Sequence, residues 1–229
     1  MRYAYIKDIE YYLPEKELTN EELAKEYPEW SVEKIKNKTG ISKRHIANEN
    51  ECSSDLAIQA AQKIFSNGII VPSDIDYLIF CTQSPDYFLP TTACIIQDRL
   101  GLKKDCGAID FNLGCSGYIY GLGLAKGLIE TDQAKNVLLL TGETYSKFIH
   151  PKDKSVRTIF GDGATATVLT SAEDSRPYIG PFSYGTDGSG FQKLIVPAGG
   201  LRLPRSNQTS IIETDEEGDT RTKENIFMN

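Results

Sequence analysis

Residues 110–122 read Asp-Phe-Asn-Leu-Gly-Cys-Ser-Gly-Tyr-Ile-Tyr-Gly-Leu, and this stretch decides the fold. The apolar run 106–111 has the length of a strand, and apolar residues then recur at helical spacing until residue 129. The sequence therefore predicts a buried strand, a tight glycine turn and a helix. Gly114, Gly117 and Gly121 carry no side chain, which lets other parts of the protein approach the first turns of that helix closely.

Cys115 falls at the junction of the predicted strand and helix. A thiol there lies at the positive end of a helix dipole, among backbone N–H groups that have no helical partner. This setting favours the thiolate, which is the nucleophilic form of cysteine. On local pattern alone a second interpretation is equally open, because free cysteine often serves as a small core hydrophobe. The remaining cysteines are interpreted as structural: Cys52, Cys81, Cys94 and Cys106.

Length and composition describe an ordinary globular chain of 229 residues, of which 40% are hydrophobic and 25% charged. The net charge of −7 argues against nucleic acid as a partner. No apolar run approaches the roughly 20 residues that span a membrane. Five cysteines without a C-x-x-C pair indicate reduced thiols in a cytoplasmic protein, and only two histidines disfavour a histidine-based zinc site.

Strands and helices alternate along most of the chain, which predicts βαβ units and an α/β fold with a largely parallel sheet covered by helices on both faces. The predicted strands are 3–9, 77–82, 106–111, 136–142 and 165–170, and the helices are 20–26, 31–39, 53–67, 91–100 and 118–129. Thr19 and Glu22 form a capping-box pattern, Ser31 can cap the second helix, and Gly40 ends it. Residues 1–172 are therefore expected to form one layered unit.

The pattern changes after residue 172. Residues 178–186 and 192–197 are interpreted as two strands joined in a hairpin through 187–190. Residues 198–223 are polar and contain five acidic residues between Glu213 and Asp219, so we expect an exposed mobile loop. Residues 173–229 are thus expected to begin a second, incomplete half.

Three motifs, in register with one another, resemble the β-ketoacyl-[acyl carrier protein] synthase III family of thiolase-like condensing enzymes. They are Thr39-Gly-Ile-Ser-Lys-Arg-His-Ile46, the strand–glycine–Cys115–helix unit, and Phe160-Gly-Asp-Gly-Ala164. The resemblance covers about the whole chain but only the first two-thirds of the family's length. It implies a thiolase-like fold, with this chain supplying the N-terminal half and the opening hairpin of the second.

The resemblance also implies a reaction. Cys115 matches the residue that accepts an acyl group from acyl-CoA, after which malonyl-[acyl carrier protein] loses CO2 and attacks the thioester. A His and an Asn of the family's second half complete that site, and neither His45 nor His150 matches them. We therefore expect a fragment that lacks these partners and is inactive in condensation. The alternatives are a non-catalytic partner subunit of a ketosynthase pair, which usually lacks the cysteine, and a hydroxymethylglutaryl-CoA synthase-like enzyme. The latter uses a glutamate base, and 82–86 contains none.

Substrate-binding residues follow from the same resemblance. Lys38 and Lys154 match basic positions that hold the phosphates and adenine of CoA, and Arg157 lies close to Lys154 in the sequence. The family's stacking Trp is replaced by Lys34, and Trp30 lies four residues earlier. Solvated surface charge is the other interpretation of these cations.

Leu89 matches a position that lines the acyl pocket, sometimes across a dimer, but on the residue alone simple packing is the favoured interpretation. Asp162, between two glycines, is interpreted as shaping a turn. The implied partners are acyl-CoA, acyl carrier protein and a second copy of the chain, with no cofactor, metal, nucleic acid or membrane.

Overall fold

The computed structural model describes residues 1–229. Its helices and strands run in this order: β1 (Arg2–Tyr12), β2 (Glu17–Thr19), α1 (Asn20–Glu26), α2 (Val32–Thr39), β3 (Lys43–His45), α3 (Ser53–Ser66), β4 (Tyr77–Cys81), α4 (Thr92–Arg99), β5 (Gly107–Phe111), α5 (Gly117–Glu130), β6 (Asn136–Glu143), α6 (Lys154–Arg157), β7 (Gly163–Glu173), β8 (Leu194–Ile195), β9 (Glu213–Thr214), β10 (Thr220–Arg221) and β11 (Phe227–Met228). No helix in the structure is long and apolar enough to cross a membrane.

Contacts divide the chain into two compact units, each made of separate segments. The first contains Met1–Pro14, Ala47–Glu143 and Gly163–Ser183, and the second contains Glu15–Ile46, Thr144–Asp162 and Tyr184–Asn229. This division does not follow the predicted boundary at residue 172. The predicted boundary concerns the halves of a longer fold and stays a prediction.

The first unit is built on a five-stranded mixed sheet in the order β1-β7-β6-β4-β5. Strand β4 runs parallel to both of its neighbours, β5 and β6, whereas β7 is antiparallel to β6 and β1. The predicted α/β class and five-stranded sheet are therefore confirmed. Residues of β4 and β6 are buried on both faces, as their continuous apolar runs predict.

Helices cover both faces of this sheet because successive strand residues point to opposite sides. Phe80 and Leu138 join the core formed with α3 and α4. Ile79 and Leu139 join the core formed with α5 on the other face. The predicted helices on both faces are thus confirmed.

The second unit carries the predicted helix caps. The Thr19 hydroxyl accepts a hydrogen bond from the Glu22 N–H, and the Glu22 carboxylate accepts one from the Thr19 N–H. The Ser31 hydroxyl accepts from the Lys34 N–H, and Gly40 ends α2 with a φ of +74°. Strands β2 and β3 pair with each other and were not predicted, because three residues are too few to display an alternating pattern.

The predicted hairpin over 178–197 is wrong. Residues Gly188–Lys193 form a 3-10 turn, which Asp187 caps by accepting a hydrogen bond from the Ser189 N–H at 2.9 Å. The short β8 pairs with β11 instead. The Asp-Gly-Ser-Gly pattern therefore encodes a capped turn, and the strand partner comes from more than 30 residues further along the chain.

Residues 198–223 are mostly exposed, as predicted, but they include a small hairpin of β9 and β10. Asp215 closes this hairpin by accepting a hydrogen bond from the Asp219 N–H at 2.9 Å. Arg221 pairs with Asp153 at 2.5 Å and also with Asp215. The acidic stretch thus has defined contacts within the second unit, while its mobility stays a prediction.

Candidate active site

The carboxyl ends of β4, β5 and β6 meet at one edge of the sheet. Cys81, the last residue of β4, lies opposite Phe111 of β5 and Thr141 of β6. Helix α5 begins six residues after β5 ends, so the turn that contains Cys115 lies at this edge. Crevices at the carboxyl ends of parallel strands are common ligand sites in α/β proteins.

Cys115 is exposed, whereas Cys81 is buried and the other three cysteines are half-buried. It immediately precedes Ser116, the N-cap of α5, whose side chain makes no capping hydrogen bond. The interpretation of Cys115 as a core residue therefore does not fit the structure. An accessible thiol at the positive end of a 14-residue helix can act as a nucleophile towards a thioester.

Two glycines permit the close packing that was predicted for the start of α5. A Cβ atom at Gly117 would overlap the Cys81 Sγ, and one at Gly121 would lie 2.5 Å from the Leu139 Cδ1. Helix α5 therefore rests directly on the central strands β4 and β6. This contact fixes the end of the helix that carries the Cys115 turn.

A cavity of about 170 Å³ opens beside this turn. The lining side chains and backbone include Cys81, Leu113, Gly114, Tyr118, Thr141 and Glu143. The Cys81 thiol donates a hydrogen bond to the Leu113 carbonyl at 3.0 Å. Burial, with a smaller contribution from the charge of Glu143, raises the pKa of Cys81 to about 11, so this second thiol stays protonated at neutral pH.

Glu143 also lines this cavity, and it is a candidate site residue that the sequence did not predict. Its carboxylate accepts hydrogen bonds from the Gln83 N–H and the Ser84 hydroxyl, each at 2.8 Å. Burial raises its pKa to about 7, and the hydrogen bonds oppose that rise. The sequence feature that could have pointed to Glu143 is its position at the end of a buried strand, β6, which runs parallel to β4.

Glu143 also changes one argument about the class of enzyme. Residues 82–86 contain no glutamate, which on sequence alone disfavours a hydroxymethylglutaryl-CoA synthase-like protein. The structure brings a glutamate from β6 to that loop. The distinction therefore has to rest on the relatives of the chain.

Two of the predicted CoA-binding cations lie in the second unit with carboxylate partners. The Lys154 ammonium lies 3.1 Å from the Glu29 Oε1, and Arg157 forms an ion pair with Glu26. Their side chains are only 13% and 20% exposed, so they are not simple solvated surface charges. Lys38 instead lies over the Trp30 ring, with its Nζ 4.7 Å from the ring centroid.

Trp30 does not offer an open face for an adenine ring. It is 8% exposed and packs in a cluster with Leu23, Tyr27 and Ile35. Lys34 also lies over its ring, at 5.0 Å from the centroid. Trp30 therefore does not replace the family's stacking tryptophan.

Leu89 and Asp162 occupy contrasting environments. Leu89 follows the exposed Tyr87 and Phe88 and precedes α4. It is 82% exposed, so it does not pack within this chain. Asp162 is buried, and its carboxylate accepts hydrogen bonds from the Ser146 N–H at 2.9 Å and the Ser146 hydroxyl at 2.5 Å. Asp162 thus holds the turn before β7, in agreement with its interpretation as a turn residue.

The fold and the site define a thiolase-like α/β protein with an accessible cysteine at a strand-to-helix turn. The family model described as 3-oxoacyl-[acyl-carrier-protein (ACP)] synthase III matches residues 109–188, which include Cys115. A beta-ketoacyl-[acyl-carrier-protein] synthase III of Caldanaerobacter subterraneus is 42% identical over 198 residues, covering 86% of this chain and 59% of the relative.

Solved structures agree with the sequence relatives. A crystal structure of a 3-oxoacyl-(acyl-carrier-protein) synthase III is 53% identical, with a TM-score of 0.98, over 99% of this chain and 67% of that one. The synthase from Burkholderia xenovorans is 33% identical, with a TM-score of 0.84, over 100% and 64%. The chain belongs to the 3-oxoacyl-[acyl-carrier-protein] synthase III family. It spans 59% of the length of the Caldanaerobacter relative.

Proposed function

We propose that Cys115 carries the acyl group in a decarboxylative Claisen condensation. Residues 1–229 contain no match to the family's His and Asn, so we expect them to support acylation of Cys115 but not the complete condensation. The Cys115 sulfur attacks the carbonyl carbon of an acyl-CoA, a carbon–sulfur bond forms, and the CoA thiol leaves with the proton. A malonyl thioester on acyl carrier protein then loses CO2, and the resulting carbanion attacks the Cys115 thioester. As the new carbon–carbon bond forms, the bond between the acyl carbon and the Cys115 sulfur breaks. Cys115 leaves as its thiolate, and a β-ketoacyl group stays on the carrier protein.

The exposure of Cys115 at the start of α5 is the observation that carries this proposal. A thioester is attacked readily by a thiol that solvent and substrate can reach. Membership of the family supports the same role, because the matched segment contains Cys115. Retention of the cysteine also argues against a non-catalytic partner subunit.

Mass spectrometry of the intact protein tests the proposal directly. Incubation with short, branched and medium-chain acyl-CoAs should add the mass of one acyl group to the wild-type protein. Cys115→Ser should abolish the addition, whereas Cys94→Ser, which removes another partly accessible thiol, should not. An unchanged mass with every donor, or labelling that survives Cys115→Ser, would contradict the proposal.

The proposed donor and assembly rest on other residues. Lys38, Lys154 and Arg157 are proposed to lie at the phosphates of acyl-CoA, where Glu29 and Glu26 compete for Lys154 and Arg157, and Leu89 is proposed to line an acyl pocket. A homodimer is supported by two features of the first unit: β5 lies at the open edge of the sheet, and Tyr87, Phe88 and Leu89 are 64%, 87% and 82% exposed. The predicted cytoplasmic location rests on cysteine usage alone.

A hydroxymethylglutaryl-CoA synthase-like reaction remains a second candidate because Glu143 lies beside the loop 82–84. That reaction would consume a β-ketoacyl-CoA as acceptor in place of a malonyl thioester. Product analysis with each acceptor distinguishes the two, since only the condensation proposed above releases CO2.

A further inference from the structure

Two acidic residues of the second unit occupy the cations that would bind a nucleotide phosphate. Glu29 lies 3.1 Å from the Lys154 Nζ, which also donates a hydrogen bond to the Glu217 carbonyl at 2.8 Å. Glu26 holds Arg157 through both carboxylate oxygens, the Oε1 lying 3.2 Å from the Nη2. Both cations are therefore paired with carboxylates of the protein itself.

The acidic hairpin of β9 and β10 strengthens this arrangement around Lys154. Asp219 is buried and accepts a hydrogen bond from the Lys154 N–H at 3.0 Å. The hairpin is attached to the segment before α6 by the Thr220 N–H, which donates to the Lys152 carbonyl at 3.2 Å. The Lys154 ammonium thus contacts acceptors from Glu29 and Glu217, and the Lys154 side chain is 13% exposed.

Arg157 is satisfied to a similar extent. Besides Glu26, its guanidinium donates to the Pro151 carbonyl at 2.9 Å and to the Tyr27 hydroxyl at 3.2 Å. A phosphate that binds Lys154 or Arg157 must displace a carboxylate. The net gain in binding free energy is then only the difference between the attraction of the cation for the phosphate and its attraction for the carboxylate. Trp30 does not make up for this weak phosphate binding by stacking on the adenine, because Lys34 and Lys38 lie over its ring.

We infer that Glu26 and Glu29 are specificity-determining residues, which weaken recognition of the nucleotide end of CoA. The acyl donor is then recognised mainly through its pantetheine arm, the part that CoA shares with a carrier protein. Thioesters of pantetheine without a nucleotide should serve about as well as acyl-CoA. This inference rests on the proposed function where it concerns acyl donors, because the use of a donor presupposes acylation of Cys115. The binding of free CoA or pantetheine does not depend on that acylation.

Calorimetric titration with CoA and with pantetheine tests the inference on the full chain. Wild-type protein should bind CoA no more than about tenfold more tightly than pantetheine. Glu26→Gln/Glu29→Gln should tighten CoA binding about three- to tenfold and should leave pantetheine binding unchanged. The expected gain is modest because both carboxylates are about half exposed, so solvent weakens their hold on the cations. Glu21→Gln, which removes the same charge from α1 without an ion pair, should change neither.

Three results would overturn the inference. They are a wild-type preference for CoA above about a hundredfold, an unchanged CoA affinity in the double variant, and an equal gain for pantetheine. The single variant Glu29→Gln, whose exposed side chain leaves the Arg157 pair intact, provides the same test if the double variant does not fold.

Acylation of Cys115 separates this inference from the proposed function. Acyl-CoA and acyl-pantetheine with the same acyl group should label Cys115 at rates within about tenfold of each other. Labelling by acyl-CoA alone would overturn the inference. If neither donor labels Cys115 while the binding pattern is as expected, the proposed function fails and the role of Glu26 and Glu29 stands.

Discussion

Cys115 and Cys81 both lie at the start of α5, and they differ in their exposure to solvent. Cys115 is exposed, whereas Cys81 is buried beneath Gly117 and donates a hydrogen bond to the Leu113 carbonyl. Burial raises the pKa of Cys81 to about 11, which makes its thiolate scarce at neutral pH. A residue-scale comparison therefore assigns Cys115 to chemistry and Cys81 to the contact between helix and sheet.

Alkylation checks this assignment. Limiting iodoacetamide at pH 8 should modify Cys115 at least about tenfold faster than Cys81, because burial and a raised pKa leave roughly one Cys81 thiol in a thousand ionised. Peptide mapping by mass spectrometry measures both rates in one sample. In urea the two cysteines should react at similar rates, and comparable rates in the native protein would contradict the assignment.

Glu143 gives a residue-scale prediction about pH. Its pKa is about 7 in the folded protein against 4.5 for the ordinary group, so between these values the folded protein holds a proton that the unfolded chain releases. The stability that protonated Glu143 gives the folded protein is fully present below pH 4.5 and is lost as the pH rises through about 7. Across this window, Glu143 should lower the free energy of unfolding by up to about 1.4 kcal/mol per pH unit.

Glu143→Gln should remove that dependence while keeping an acceptor for the Gln83 N–H. Relative to the wild-type protein, the variant should therefore gain stability as the pH rises from 5 to 7. Urea unfolding at several pH values measures the difference, and Glu15→Gln, an exposed glutamate, is the charge-matched control. Parallel stability curves for Glu143→Gln and wild-type protein would exclude a raised pKa.

At the scale of the element, α5 illustrates why glycines at two positions of one helix have different effects. Gly121 lies against the fully buried Leu139, whereas a Cβ atom at Gly127 would meet nothing within 4 Å. Glycine weakens a helix unless a close contact requires it. The sequence shows both glycines equally, and only the packing of α5 on β6 distinguishes them.

Alanine substitutions at these positions should have opposite signs. Gly121→Ala should lower the free energy of unfolding by about 1–3 kcal/mol, because the fully buried Leu139 side chain would have to shift to admit the methyl group. Gly127→Ala should raise it by about 0.5–1 kcal/mol through helix propensity. Urea denaturation of both variants decides the matter, and equal stabilities would show that α5 does not pack as described.

At the scale of the whole molecule, the exposed apolar loop 87–89 and the open edge of β5 support self-association. Phe88, which is 87% exposed, should be buried in the proposed homodimer. Phe88→Asp should therefore shift the protein towards a monomer in sedimentation experiments. Ile212→Asp, an equally drastic change at another exposed site, should leave the association state unchanged. A wild-type monomer at micromolar concentration would contradict the homodimer.

Much of the fold was predictable because its signals are local. The capping box at Thr19 and Glu22, the stop at Gly40 and the buried runs of β4 and β6 each lie within about a dozen residues. Cys115 was found for the same reason, since its strand, turn and helix are continuous in the sequence. The hairpin over 178–197 failed because turn residues alone do not identify the strand that pairs.

Local sequence patterns were thus enough to predict the α/β class, the order of the main strands and helices, and the position of the candidate nucleophile. The groups that surround the predicted site residues become known only once the chain has folded. Glu143 reaches the loop of Gln83 and Ser84 across about 60 residues, and Glu26 reaches Arg157 across 131. Such contacts depend on how elements pack, and a carboxylate that pairs with a distant cation carries no local pattern from which its partner could be identified.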